Sequence, residues 1–288
     1  MREFVIMTDS CCDLPDEMAK ELQLRVVPLS FLMDGREYFN YLDNRDIQPK
    51  EFYDKLRAGS LGTTSAVSVG TFQEEMLAAV REGKDVLCIA FSSALSTTYQ
   101  SACIAAEDVM AEHPESTVAV VDSKAASLGQ GMLVYLAAKE KEKGASMEAV
   151  RAFAEQMRDH IGHWFTVDDL NHLKRGGRVS ATAAFFGTML QMKPVLHVDD
   201  EGRLTPVSKV RGRKASIQAV LEKMEELVES NTPVFISHGD CMEEVEILAE
   251  QIREKFGTKE VLINYVGPVI GNHTGAGVIA LFFPAKSK

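Results

Sequence analysis

The sequence predicts an α/β protein in two parts. Residues 1–160 read as an N-terminal doubly wound parallel-sheet domain, and residues 161–288 as a C-terminal α+β domain with a mixed sheet. Three observations carry this. Apolar strand-like runs alternate with helix-period segments through the first half, which is the pattern of a parallel sheet covered on both faces. Three of those runs, FVIMTDS (4–10), VLCIAFSS (86–93) and TVAVVDS (117–123), end on acids and hydroxyls, as strands do beneath helix N-termini. After residue 160 the texture changes to paired extended segments joined by turn residues.

In chain order, strands are expected at 3–7, 25–31, 85–91 and 117–121, and helices near 15–22, 49–57, 70–82, 96–112 and 125–142. Pro15 and Pro49 suit first turns of helices, while Gly59, Gly83 and Gly144 suit their ends. Asp34-Gly35 between extended runs is a hairpin signal. A helix at 147–158 closes the first part. The second part opens on the basic loop LKRGGR (173–178) and the apolar, helix-like ATAAFFGTMLQM (181–192). PVLHV and RLTPVSKV follow as extended segments flanking a turn at Asp199 to Gly202. A helix at 213–229, a strand in PVFISHGD, a helix at 242–256 and strands near 259–266 and 276–283 complete the chain.

Composition narrows the function. The 288 residues are 45% hydrophobic and 25% charged, an ordinary globular balance. The net charge of −11 opposes general binding to nucleic acid or an anionic membrane. No apolar run reaches the ~18 residues of a membrane span. MREFVIMTDS runs straight into a strand, which predicts no signal peptide. Five scattered cysteines without a CxxC point to reduced thiols in a cytoplasm, with Cys11, Cys12, Cys88 and Cys103 read as small packed residues.

The hydroxyl segments TTSAVS (63–68) and SSALSTT (92–98) are the main candidate site. Ser and Thr are favoured helix caps, and a lone serine would need no other account. Five hydroxyls in the seven residues after one strand exceed what a cap needs and suggest a ligand with an acidic or polar head. His273 sits in a glycine-rich loop among small neighbours, so its imidazole is expected to project past them. His238 reads as a turn residue. His160 and His163 resemble half of a synthetase HIGH signature, but no KMSKS partner follows, and no cysteine or carboxylate set makes them a metal pair. Gly129-x-Gly131 lacks the third glycine of a dinucleotide fingerprint. Neither GxxxxGK[ST] nor GxSxG is present, although Ser93 or Ser96 with His273 and an acid would make a triad. Two basic clusters, Lys174/Arg175/Arg178 and Lys209/Arg211/Arg213/Lys214, stand out on an acidic chain and read as a docking face for an acidic partner or as a solvated surface.

Taken in order, MTDSCCDLP, TTSAVS, FSSALSTTYQSA, VDSKAASLGQG, FTVDDLNHLKRGGR, KPVL and GPVIGNHTGAG resemble the signature set of the DegV family from residue 3 to about 283. The resemblance implies a bacterial fatty-acid-binding protein of two α/β domains with one palmitate-, stearate- or oleate-like chain held between them. It implies no cofactor and no chemistry of its own. It also implies that the carboxylate is presented to an ATP-dependent fatty acid kinase subunit, which forms the acyl phosphate. By the same resemblance Thr64 and Ser96 hold the carboxylate, with Ser65 and Ser93 close by. His273 and Arg175 complete the polar network, and Arg211 and Arg213 face the kinase. Two positions depart from the family pattern: Ala66-Val67 replaces a common Gln-Pro, and Thr97 a glycine. Neither removes a hydroxyl, but they put head-group affinity and chain preference in question. From the residues alone, an enzyme acting on a small phosphorylated or carboxylated metabolite stays open, as does a Ser/His hydrolase. A long apolar tunnel, which AAFFGTML and the 13 methionines favour, would separate the carrier from both.

Overall fold

The computed structural model describes residues 2–179, 191–229 and 233–288. In the first part the chain runs β1 (Phe4–Asp9), α1 (Asp16–Glu21), β2 (Arg25–Val27), β3 (Ser30–Met33), β4 (Arg36–Phe39), α2 (Pro49–Arg57), β5 (Gly62–Ser65) and α3 (Val69–Arg81). It continues through β6 (Asp85–Ala90), α4 (Thr98–Glu112), β7 (Val118–Asp122), α5 (Leu128–Glu142) and α6 (Met147–Met157). The second part runs β8 (Ile161–Thr166), α7 (Asn171–Arg175), β9 (Met192–Val198), β10 (Leu204–Arg211) and α8 (Arg213–Leu227). It ends with β11 (Val234–His238), α9 (Met242–Phe256), β12 (Val261–Tyr265), α10 (Pro268–Thr274) and β13 (Ile279–Pro284).

The fold class is the one expected. β2-β1-β6-β7 form an all-parallel sheet, and β10-β9-β8-β13-β11-β12 a mixed one. A small antiparallel sheet, β4-β3-β5, stands beside them. The division expected at residue 160 falls between α6 and β8. The larger hydrophobic core nevertheless runs on from β1 and β6 through α5 into Phe165, Leu196 and Phe282 of the mixed sheet. A second core packs α8 and α9 on the opposite face of that sheet, through Trp164, Val220, Leu248 and Leu281.

Several differences from the expected elements have local causes. The run 25–31 splits at Pro28, which has no N–H with which to continue a ladder. Leu29 N donates instead to Ser10 Oγ at 3.0 Å, and the chain turns out into the small sheet. Asp34 and Gly35 have φ of 52° and 77°, so the hairpin turn forms where its dipeptide indicates. Gly62–Ser65, where the sequence pattern predicts no element, is a strand because its backbone pairs with β3, with Thr64 opposite Phe31. The HIGHWFT segment is the buried strand β8, and the glycine-rich GPVIGNHTG folds as α10, with Pro268 in its first turn. The helices expected from 96 and 125 begin at Thr98 and Leu128, leaving Ser96 and Ser127 on the preceding turns. The helix expected over 181–192 lies outside the described residues, apart from Gln191 and Met192, and Met192 begins β9.

Candidate functional site

A cavity of about 240 Å³ opens between the two sheets. Leu29, Thr64, Phe91, Ser96 and Ser127 reach it from the first part, and Phe165, Arg178, Ser237, Ile270 and His273 from the second. The first-part contributors follow β2, β6 and β7 or lie on β5, so the cavity sits at the carboxyl ends of the parallel strands.

Its polar end is built around one hydrogen bond. Thr64 Oγ1 and His273 Nε2 are 2.8 Å apart, joining β5 to the last turn of α10. Two glycines make this possible. A Cβ on Gly271 would come within 2.7 Å of Phe52 Cε1, so only glycine lets α10 lie this close to α2. A Cβ on Gly176 would reach 2.1 Å from His273 Nδ1, so the turn after α7 closes directly over the imidazole. Burial, together with the positive Arg178 and Arg175, pushes the His273 pKa down to about 4, and the ring is neutral at pH 7.

Ser65, Ser96, Thr97, Arg178 and Thr274, the residue after His273, also border the cavity. Ser96 Oγ lies 2.9 Å from Thr98 Oγ1 and accepts Thr98 N at 3.2 Å, so it tightens the start of α4 while facing the cavity. Arg178 donates Nε to Leu95 O at 3.1 Å and Nη1 to Gly176 O at 2.6 Å. Both are carbonyl contacts. They fix the guanidinium in place without neutralising it, so its charge is available to an anion.

Not every residue singled out in the sequence lies here. Arg175 is exposed and bonds His172 Nδ1 at 2.9 Å, and it is Arg178 that borders the cavity. Ser93 is absent from the lining, and its backbone N donates to Asp122 Oδ1. Arg211 is exposed and reaches Gln191 Oε1 at 3.1 Å. Arg213 corrects the expectation of an exposed cation. Its side chain is 17% exposed, forks onto Glu244 and lies 3.7 Å from Asp168. Sequence reading missed Ser127 and Ser237, and it weighed His163 only within a synthetase-like HIGH signature and a metal pair. Ser127 follows the apolar run of β7 as Ser96 follows that of β6, and that parallel was the available signal.

Away from the polar end the wall is mostly apolar, formed by Leu29, Phe91, Leu95, Phe165, Leu173 and Leu204 among others, with Ser127, His163 and Ser237 also bordering it. No methionine contributes to it among the described residues, and AAFFGTML lies outside them. Among the described residues no group of three or more His, Cys, Asp or Glu side chains could hold a metal ion. No described helix is long and apolar enough to cross a membrane.

Residues 3–286 match the model of a family described as "Uncharacterised protein, DegV family COG1307". A DegV domain-containing protein of Clostridium perfringens is 44% identical over 290 residues, covering 100% of this chain and 99% of its own. Among solved structures, a DegV family protein from Thermus thermophilus, described by its fatty acid binding, is 34% identical with a TM-score of 0.86 and full coverage of both chains. A stearic acid-binding protein from Eubacterium ventriosum is 27% identical, with a TM-score of 0.88 over 98% of each chain.

Proposed function

The chain belongs to the DegV family, and from that premise we propose that it is a carrier for one long-chain fatty acid, held between the two sheets with its carboxylate at Thr64, Ser96, His273 and Arg178. The observation that carries this reading is an arginine with no acidic partner among the described residues, beside a neutral Thr64–His273 pair at one end of a largely apolar cavity. Burying about 16 methylenes at ~0.8 kcal/mol each gives roughly 13 kcal/mol before association and chain-ordering costs. The tail supplies the affinity, and the polar end only has to orient the head. A small phosphorylated metabolite would leave most of this apolar wall wet.

The carrier works with a partner. In this reading a cytoplasmic, ATP-dependent kinase subunit phosphorylates the presented carboxylate, and the protein performs no chemistry alone. Hydroxyls, one neutral imidazole and one guanidinium hold a carboxylate in place while leaving an oxygen available for attack on a phosphoryl group. Arg211, exposed on β10, is the docking cation we favour, because Arg213 is already occupied by Glu244.

Head-group recognition is tested by titrating delipidated protein with stearate and with octadecanol. Stearate is expected to bind at least tenfold tighter, since hydrogen bonds to a charged group contribute about 1.5–3 kcal/mol each. Thr64→Ala is expected to narrow that gap. Equal affinities in the parent protein would place the carboxylate elsewhere.

A further inference from the structure

The cavity has a floor on the mixed sheet, and strand register places it. β13 leaves the end of α10, which carries His273, so each step along β13 leads away from the polar end. Phe165, Ala280 and Ser237 lie level across β8, β13 and β11, and all three border the cavity. Two residues further, ~7 Å at the usual strand rise, the level row on the same face is His163, Phe282 and Phe235. Of these only His163 borders the cavity, while Phe282 and Phe235 are buried outside its lining. The first row is small at two of its three positions and leaves room for a chain. The second is three rings and closes it.

The rings are held from behind. His163 meets Phe282 edge-on with centroids 4.5 Å apart, and Phe235 meets Tyr135 of α5 in the same way at 5.6 Å. Gly129 of α5 gives the row its seat, since a Cβ there would come within 2.8 Å of His163 Nδ1 and 2.9 Å of Phe282 Cδ1. The imidazole lies hard against the helix and has no room to swing away from an arriving methyl group. Burial pushes its pKa well below the ordinary 6.5, so an acyl tail meets an uncharged ring. The histidine of the HIGH segment and the first glycine of Gly129-x-Gly131 thus meet at the bottom of the cavity.

We propose that His163, seated on Gly129 and backed by Phe282, is the stop that sets the longest acyl chain the protein accepts. The proposal rests on the fatty-acid reading above and adds chain-length selectivity to it. Each methylene that enters an apolar cavity raises affinity about fourfold. A chain that overruns the stop has to displace a packed ring or leave carbons in water, so affinity falls beyond one length instead of rising.

The test offers the delipidated full chain an equimolar mixture of laurate, myristate, palmitate, stearate, arachidate and behenate. The acids it retains are read by denaturing mass spectrometry. The parent is expected to favour longer acids up to one length and to discriminate against the next. His163→Ala is expected to raise the ratio of that next acid to the last accepted one at least tenfold, because two more methylenes then find apolar room. Gly129→Ala is expected to shift the preference the other way, to a shorter acid, because the added methyl drives the imidazole into the cavity. A parental preference that climbs through behenate without turning over overturns the stop, as does a turnover at the parental length in either folded variant. If Gly129→Ala does not fold, His163→Ala and the parental profile decide. Retention of no acid at all removes the fatty-acid reading, and the stop with it.

Discussion

At the scale of single residues, buried ionisable groups give this protein a pH signature. Asp13 is buried, and desolvation pushes its carboxyl up to about 7 from an ordinary 3.8. Asp9 rises to about 6 for the same reason. A carboxyl raised on folding binds its proton in the native state when the unfolded chain has lost it. Its contribution is therefore full below about 4 and falls away as pH rises through 7. His273, lowered to about 4, works in the opposite sense over pH 4 to 6.5. Comparing Asp13→Asn with the parent cancels the histidine. Urea denaturation is expected to show the variant gaining on the parent from pH 4 to pH 8, by on the order of 4 kcal/mol. A constant difference across that range would mean Asp13 titrates alike folded and unfolded. Residue types were legible at this scale and facing was not. Arg175 and Arg178 stand three apart around a Gly-Gly turn, and only the tertiary path of that turn sends Arg178 inward. Similarly, the cation at Arg213 is answered by Glu244, 31 residues away, beyond the reach of a local pattern.

At the scale of elements, periodicity recovered the long amphipathic helices and the buried parallel strands because each buries one continuous face. The two elements that hold the Thr64–His273 pair were not legible. β5 is four residues long and exists through its ladder to β3. α10 is seven residues containing glycine and asparagine, and it is kept helical by packing on Phe52 and Tyr53 rather than by propensity. The turn after α7 makes a test of this scale. Gly176→Ala places a methyl against His273 Nδ1 at a distance no structure keeps, so the imidazole has to leave Thr64. Gly176 is part-buried, and φ at this position suits any residue, so stability is expected to change by less than about 1 kcal/mol. Stearate affinity is expected to fall about tenfold, the equivalent of one charge-assisted hydrogen bond. Unchanged affinity with unchanged stability would mean that the Thr64–His273 bond does not orient the ligand.

At the scale of the whole molecule, the cavity exists because the larger core bridges two sheets, with the parallel sheet supplying strand ends and the mixed sheet a wall. The surface of an acidic chain then bears on the partner. Arg211→Glu is expected to leave stearate binding intact and to slow association with the proposed kinase subunit, as raising salt would do for the parent, because exposed charges steer encounter more than they stabilise a fold. Acyl-phosphate formation at the parental rate at low ionic strength would place docking on another face. The central claim, a carrier that holds one long fatty acid, is tested most directly by denaturing mass spectrometry of small molecules released from the purified protein. The account predicts about one long-chain fatty acid per chain. Extraction that yields none, together with no calorimetric binding of added palmitate, stearate or oleate, would contradict it.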